Sequence, residues 1–248
     1  MSISTIIMLF LAGFLSSAVN AIAGGGTFLT FGAMTLAGLP PIVANATSSI
    51  VQFPGYVTSA LAYAKEIRKD MREVLVLGAI SLVGGLAGAL ILLSLSNPSF
   101  RAMVPWLLLA ATAIFAAGPL LRPKASTQDV PSGPLGWVIQ FVTAIYGGFF
   151  GAGMGIMMLA GLGLSKGGDY HRLNALKNVL AMVIAAVAII VFAGGNVVAW
   201  LQAVVMIPGG ALGGYAGVWL ARRVPQAIIR GLVVAVGLLL AVYYFVTG

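Results

Sequence analysis

The sequence has no cysteine and very few charged residues. Only 7% of its 248 residues are charged, whereas about 25% of the residues of a soluble domain are. A soluble fold of this length could not cover its surface with so few charges, so lipid must be the solvent for much of the chain. Without cysteine, disulfides, thiolate catalysis and sulfur-ligated metals are excluded. A single histidine, His171, excludes a histidine metal cluster.

Carboxylates are scarcer still, and all five lie in predicted loops: Glu66, Asp70, Glu73, Asp129 and Asp169. Cation carriers and proton relays usually place carboxylates within the membrane, so the sequence argues against both. Neither a Ser-His-Asp set nor a metal-ligand cluster is visible in the sequence. We therefore expect no enzymatic activity, no cofactor and no metal site.

The basic residues give a formal net charge of +8, but their distribution argues against nucleic-acid binding. They occur in short segments between apolar runs, as the positive-inside rule expects for a membrane protein. No Lys or Arg precedes the first apolar run, 3–22. Because a signal peptide has a basic first region, we interpret this run as part of the mature fold.

Apolar segments alternate with glycine clusters and short polar connections. The segments are 3–22, 27–38, 41–63, 74–95, 102–121, 135–150, 156–164, 173–193, 197–220 and 227–246. Several approach the ~20 residues that span about 30 Å of hydrocarbon. Three are too short to span (27–38, 135–150 and 156–164), and glycine-rich stretches adjoin them at 24–26 and 151–155. Glycine at those points predicts broken helices.

The two halves of the chain resemble each other at residues 129 positions apart. The matches pair Gly24 with Gly153, Gly26 with Gly155, Gly38 with Gly167, Asn45 with Asn174 and, after a three-residue deletion, Gly84 and Gly88 with Gly210 and Gly214. This order predicts a duplication. The first membrane repeat would cover 1–121, a cytoplasmic linker 122–134 and the second membrane repeat 135–248.

Charge placement predicts that the repeats are inverted. The loop 64–73 carries four basic residues, whereas its counterpart at 194–196 carries no charge. The pair Arg222 and Arg223 corresponds to a first-half loop that has only Arg101. Each charged loop thus matches a nearly uncharged one, as halves inserted upside down to each other would show.

Inversion requires an odd number of crossings in each half. Three helices and one glycine-broken hairpin, 3–38 or 135–164, satisfy this requirement because a hairpin enters and leaves on one side. We therefore expect an all-α, polytopic integral membrane protein: a helical bundle of two inverted repeats, each a glycine-broken hairpin plus three transmembrane helices. A parallel repeat of four plain spans is the alternative.

Polar side chains form one stripe on each of two predicted helices. The stripes comprise Asn45, Ser48, Ser49 and Gln52 in the first half and Asn174, Lys177 and Asn178 in the second. Their spacing puts each set on one helix face. Together they predict a shared polar site between the repeats; interhelical hydrogen bonding is the simpler interpretation.

Lys177 is an unusual residue because it lies well inside a predicted spanning helix. Apart from Arg230, it is the only charge more than about three residues from a segment end. An ionisable residue in such a place is costly and usually functional, so Lys177 is a candidate partner for a bound anion. The alternative is that its side chain extends to the nearby cytoplasmic surface.

The glycine breaks provide a second feature suited to an anion. A helix break frees backbone N–H groups, and the next helix begins with the positive end of its dipole. Glycine lets an oxyanion approach the backbone closely, and Thr27 adds a hydroxyl donor. Close helix packing alone is the alternative explanation for Gly24–Gly26. For Gly84, Gly88, Gly210 and Gly214 we predict packing.

Two stretches resemble the signature of the TauE/SafE sulfite exporter family. Residues 23–29 (AGGGTFL) match its glycine-rich break, and residues 38–49 (GLPPIVANATSS) match its Gly-Leu-Pro turn and Ala-x-Ala-Thr-Ser helix start. The length and the duplicated layout also agree, so the resemblance covers essentially the whole chain. The second half departs from the pattern, with 174–178 (NALKN) in place of a second Ala-Thr-Ser and 153–155 (GMG) at its break.

The resemblance implies a permease of the bacterial cell inner membrane for sulfite, organosulfonates or related anions. The candidate substrate-binding residues are Gly24, Gly25, Gly26, Thr27, Asn45, Thr47, Ser48, Ser49, Gln52, Gly153, Gly155, Asn174, Lys177 and Asn178. The expected mechanism is alternating access of a secondary transporter. An anion channel and a non-transporting scaffold subunit are the alternatives. The expected partners are a small anion and the lipid bilayer, without nucleic acid; a homodimer is compatible with the sequence.

The inverted arrangement predicts opposite exposure of two loops. In single-cysteine variants of this cysteine-free chain, an impermeant thiol reagent should label Asn196→Cys from outside the cell. It should label Lys69→Cys only after permeabilisation, because the basic loop remains in the cytoplasm. Labelling of both positions from the same side would contradict inversion.

Overall fold

The computed structural model describes residues 1–22, 24–117, 120, 132–166, 170–220 and 226–247. These residues form α-helices and, within those ranges, no strand. The helices are α1 (Ile3–Ile22), α2 (Thr27–Leu36), α3 (Pro41–Ala62), α4 (Ala64–Lys69), α5 (Met71–Ser94), α6 (Asn97–Ala116), α7 (Pro134–Phe149), α8 (Met154–Ser165), α9 (Tyr170–Gly194), α10 (Trp200–Leu220) and α11 (Gln226–Thr247). Most of the predicted linker, 122–131, lies outside the described residues, as do Asp129, Asp169, Arg222 and Arg223.

Each predicted apolar segment corresponds to a helix, within a few residues. Proline helps to define where helices begin: Pro41 and Pro134 are first residues of α3 and α7, where a missing N–H is no loss. At α6 the Ser96 side chain caps the helix by accepting a hydrogen bond from the Ser99 N–H at 3.2 Å. The expectation of a loop at 64–73 was wrong. This charged connection is the short helix α4 followed by the first turn of α5, so Glu66 and Glu73 lie in helices and not in a loop.

The outer surface of the bundle is apolar. Among the described residues, five helices (α1, α5, α6, α9 and α11) are long and apolar enough to cross a membrane. Large apolar side chains are exposed along them, including Leu75, Leu90, Ile190 and Leu239, each more than half exposed. Such a surface requires hydrocarbon as its solvent. The expected class, a polytopic helical membrane protein, is therefore confirmed.

One end of the bundle, which we call the charged face, gathers ionised residues of both halves. Asp70, between α4 and α5, accepts hydrogen bonds from Arg172 Nη2 at 2.6 Å and Nε at 3.0 Å. Lys166 Nζ lies 3.3 Å from the same carboxylate. The Ser132 N–H donates to Glu73 Oε1 at 3.2 Å. The basic loop of the first half and the charged turn of the second half therefore share one end.

The opposite face joins the other helix ends. The Ile42 N–H donates to Asn97 Oδ1 at 3.3 Å. The Ala199 N–H donates to Thr47 Oγ1 at 3.0 Å. Within the described ranges, the side-chain charge at these connections is that of Arg101, at the start of α6.

Two helical hairpins, α1–α2 and α7–α8, enter the bundle from opposite ends. Helix α1 runs parallel to α10, with Phe10 beside Gly209 and Ala18 beside Gly217, so it begins at the opposite face; α2 returns there. Helix α7 begins beside Glu73 at the charged face, and α8 returns to Lys166. Both ends of each hairpin thus lie on one side of the bundle.

Corresponding helices of the two halves make corresponding contacts, each with a helix of the other half. Helix α1 packs on α10, and its counterpart α7 packs on α5; α3 packs on α10, and its counterpart α9 packs on α5. Counterparts that meet directly run antiparallel. Asn174, near the start of α9, donates to the hydroxyl of Tyr63, just after the end of α3. Arg101, near the start of α6, bonds the carbonyl oxygen of Thr247, at the end of α11.

Glycines permit these close helix contacts, as predicted for the second glycine set. A Cβ atom added to Gly84 of α5 would lie 2.7 Å from Ala144 Cβ and 2.9 Å from the carbonyl oxygen of Phe141, both in α7. A Cβ on Gly214 of α10 would lie 2.6 Å from Gly55 Cα in α3. Without hydrophobic drive between helices in lipid, such backbone proximity supplies much of the packing energy.

Two glycines of α5 therefore predict opposite effects of the same substitution. Gly84→Ala should destabilise the protein by roughly 1–3 kcal/mol, because the methyl group collides with α7. Gly78→Ala is the matched control: nothing lies within 4 Å of its Cβ position, so alanine should be neutral or stabilising by up to about 1 kcal/mol. Thermal unfolding of the purified variants measures the difference. Equal melting temperatures would contradict this packing role.

Candidate functional site

The glycine breaks of the two hairpins touch each other inside the bundle. A Cβ on Gly24 would lie 2.8 Å from Gly155 Cα, and one on Gly155 would lie 2.7 Å from Gly24 Cα. Gly24 and Gly153 adopt left-handed backbone conformations, with φ of 85° and 76°. Side chains rarely adopt such angles. Glycine is therefore required both for the turn and for the approach of the two breaks.

A small cavity of about 20 Å³ lies beside these breaks. The first half lines it with Thr27, Ser49, Gln52 and Tyr56, and the second half with Gly147, Phe150, Gly151, Met154, Ile184 and Ala185. Both halves of the chain therefore contribute to its walls.

The cavity adjoins the beginnings of both return helices. Thr27 is the first residue of α2, and Met154 is the first residue of α8. The N-terminus of a helix carries partial positive charge and free N–H groups. Gln52 lies at the middle of the 22-residue helix α3, about 16 Å from either end at 1.5 Å per residue. The two positive helix ends therefore meet near mid-depth.

A chain of hydrogen bonds leads from this cavity to Lys177. Gln52 Nε2 donates to Thr27 Oγ1 at 2.6 Å. Gln52 Oε1 accepts hydrogen bonds from Asn20 Nδ2 and, at 3.5 Å, from the Tyr56 hydroxyl. The backbone carbonyl oxygen of Asn20 accepts one from Lys177 Nζ at 3.3 Å. Lys177 is thus connected to the cavity without lining it.

Burial excludes the interpretation that Lys177 extends to the surface. Its exposed fraction is 1%. In the part of the chain that the structure describes, its polar contact is the carbonyl oxygen of Asn20, with no carboxylate within ion-pair distance. A buried ammonium group without a counter-charge is costly. This cation therefore requires a functional explanation.

The first predicted stripe divides between the cavity and helix contacts. Ser49 and Gln52 line the cavity. Asn45 Nδ2 donates to the carbonyl oxygen of Phe149 at 2.9 Å, and Ser48 Oγ donates within its own helix. Thr47 instead bonds the chain before α10 at the opposite face.

The second stripe contains amides with unused hydrogen-bonding capacity. Asn174 and Asn178 are 2% and 1% exposed. Both amide atoms of Asn178, and Oδ1 of Asn174, have no hydrogen-bond partner among the described residues. Native proteins rarely leave buried amides unpaired. These two side chains lie on the part of α9 that leads from the cavity towards the charged face.

The predicted glycines contact protein rather than the cavity. A Cβ on Gly25 would meet the Phe115 ring, and one on Gly26 would lie 2.8 Å from the backbone carbon of Ser16. A Cβ on Gly153 would lie 3.3 Å from the Ala111 carbonyl oxygen. These positions support the packing explanation for the glycines. The neighbouring Thr27, and not these glycines, lines the cavity.

Sequence reasoning missed Asn20, which occupies the centre of the network. It is buried, its side chain bonds Gln52 and its carbonyl oxygen bonds Lys177. The available signal was an amide four residues before the first glycine of a break, in an otherwise apolar run. Such a residue lies in the last turn of the helix, where the backbone changes direction.

Comparison with known proteins agrees with this architecture. The sequence profile of the sulfite exporter TauE/SafE family matches residues 9–244. A protein of Sinorhizobium sp named "Probable membrane transporter protein ORF9" is 30% identical over 245 residues, covering 94% of this chain and 90% of the relative. A "Probable membrane transporter protein" of Haemophilus influenzae is 27% identical over 239 residues, covering 94% and 91%.

A third relative, "Probable membrane transporter protein YfcA" of Escherichia coli, is 26% identical over 236 residues, covering 92% of this chain and 85% of the relative. The similarity therefore spans both halves and both glycine breaks. The resemblance expected from residues 23–29 and 38–49 is confirmed. The chain is a membrane transporter protein and belongs to the sulfite exporter TauE/SafE family.

Proposed function

We propose that this protein is a secondary transporter that carries a small sulfur-containing oxyanion, such as sulfite or an organosulfonate, across the bacterial inner membrane. The observation that carries the proposal is the cavity between the positive ends of α2 and α8. Two converging helix N-termini favour an anion at that point. The substrate would cross chemically unchanged, and the protein would not act as an enzyme.

The side chains around the cavity fit an oxyanion. Thr27, Ser49 and Tyr56 carry hydroxyl donors, and Gln52 carries an amide donor. Lining residues include no carboxylate within the described part of the chain. Uncharged donors bind an oxyanion when several converge. The choice of a sulfur oxyanion follows the family name, whereas the geometry supports the anionic class.

Inverted repeats would provide alternating access. Three observations support this arrangement: counterpart helices run antiparallel, the hairpins enter from opposite ends, and the charged loops of both halves share one face. We assign the charged face to the cytoplasm by the positive-inside rule. Each hairpin would then control access from its own side.

The composition of the cavity walls favours a carrier over a channel. Residues of both halves line the cavity. A carrier encloses its substrate between two gates, whereas a channel needs a continuous path. Movement of one repeat against the other would therefore expose the cavity to one side and then to the other.

Exchange kinetics test the proposal directly. Proteoliposomes preloaded with unlabelled sulfite should accumulate labelled external sulfite faster than empty ones, because the carrier returns loaded. Uptake should also saturate. Linear, unsaturable flux would indicate a channel, and absence of flux for sulfite, sulfate, thiosulfate and organosulfonates would contradict the transport of these anions.

Gln52 provides a charge test of the cavity. Gln52→Glu preserves shape but adds a negative charge, and repulsion at 4 Å with an effective dielectric of about 20 is roughly 4 kcal/mol. We expect sulfite affinity, measured calorimetrically at neutral pH, to fall at least about 100-fold.

The matched control is Gln140→Glu. Gln140 is also a buried amide, but it does not line the cavity. Its Nε2 donates a hydrogen bond to Ser81 Oγ at 2.8 Å. This variant should retain the affinity of the wild type. Similar affinities of the wild type and the Gln52→Glu variant would exclude Gln52 from the anion site.

A further inference from the structure

Two backbone carbonyl groups at corresponding positions of the repeats each accept a hydrogen bond from a side chain of the other half. Asn20 and Phe149 are 129 positions apart and lie in the last turns of α1 and α7. The Phe149 carbonyl oxygen accepts a hydrogen bond from Asn45 Nδ2 at 2.9 Å. The Asn20 carbonyl oxygen accepts one from Lys177 Nζ at 3.3 Å. Lys177 and Asn45 thus lie on the counterpart helices α9 and α3, and each reaches across.

These contacts satisfy a physical requirement of a broken helix. The last turn of a helix leaves carbonyl groups without intrahelical partners. Deep in a membrane protein water does not replace those partners, so an unsatisfied carbonyl group is costly. The Asn20 carbonyl oxygen also accepts the Gly24 N–H at 3.1 Å across the break, and Lys177 uses its second lone pair. A side-chain donor from another helix thus adds a bond that holds the break of the hairpin in place. We call the two contacts the Lys177 latch and the Asn45 latch.

The latches differ in charge. The Asn45 amide is neutral, and an anion would compete with a carbonyl group for it only weakly. A protonated Lys177 side chain attracts an oxyanion by its full charge, whereas the Asn20 carbonyl group offers only a dipole. An oxyanion is therefore a better partner for Lys177 than the Asn20 carbonyl group is.

The position of the Lys177 latch exposes it to the cavity's contents. The Asn20 side chain bonds Gln52, which lines the cavity, while the Asn20 carbonyl oxygen bonds Lys177. A movement of Gln52 towards a bound anion would pull on the end of α1. The Asn45 side chain is connected less directly: Ser49 lines the cavity and donates at 3.5 Å to the Asn45 backbone carbonyl oxygen, not to the amide that bonds Phe149.

We propose that Lys177 and Asn45 are positioning residues that hold the α1–α2 and α7–α8 hairpins, and that a bound oxyanion releases only the Lys177 latch. The inference rests on the proposed function. Substrate binding would loosen the α1–α2 hairpin, whose ends lie at the opposite face, while the α7–α8 hairpin stays fastened. The anion thereby selects which gate opens.

Hydrogen–deuterium exchange of the full chain in lipid nanodiscs tests this inference without added labels. Without anion, Lys177→Met should speed exchange at the end of α1 about tenfold, the effect of losing one charge-assisted hydrogen bond. Asn45→Leu should speed it at the end of α7 only. Saturating sodium sulfite should reproduce the Lys177→Met pattern in the wild type. It should produce no further change at the end of α1 in the Lys177→Met variant.

If Lys177 only stabilised the fold, sulfite would not change hydrogen–deuterium exchange at the end of α1 in the wild type. Unchanged or slower exchange at the end of α1, with sulfite binding shown by calorimetry, would overturn the inference and leave the proposed function intact. Absence of sulfite binding would count against the proposed function instead, and the anion-free comparison would still decide whether the latches exist.

Lys177→Arg keeps the charge and is the control for a general loss of folding in Lys177→Met. If Lys177→Met speeds exchange everywhere, Lys177→Arg should restore protection at the end of α1 and retain the response to sulfite. Failure to restore either would overturn the role of the charge at this position.

Discussion

Everything at the centre of this protein depends on one constraint: backbone polar groups within a membrane must be satisfied by protein. A continuous helix meets the constraint by itself, but the breaks at Gly24 and Gly153 do not. The two breaks lie against each other, and side chains of α3 and α9 reach the exposed carbonyl groups. The same breaks turn two helix N-termini towards one cavity. The contacts that bury the broken backbone therefore also form the walls of the cavity.

Charged and uncharged polar side chains lie at different depths in the bundle. The described ion pairs lie at one end of the bundle, where Asp70 joins the halves through Arg172 and Lys166. Near mid-depth the described residues include hydroxyl groups, amides and the buried lysine Lys177. Exposed apolar side chains cover the outside.

Glycine has two distinct roles in this fold, and they are separable by geometry. At Gly24 and Gly153 the backbone has a positive φ that other residues avoid. At Gly84 and Gly214 the backbone is ordinary helix, and the absence of a side chain lets neighbouring helices touch. Only the first role creates the breaks. The second role lets helices of the two halves pack with their backbones in contact.

The sequence by itself determined the solvent, the approximate ends of the apolar helices and the family. These depend on composition, hydropathy and local signals such as Pro41 and the glycine breaks, which act over short stretches of chain. It also placed Gln52 and Ser49 among the candidates, because their spacing puts them on one helix face, and Thr27, because it follows a glycine break. Only the tertiary structure decided that Asn20 is central, that Gly25 contacts Phe115 and that Lys177 bonds a backbone carbonyl group. Those contacts join residues far apart in the chain, and spacing along one helix carries no information about which side chain of another helix lies opposite.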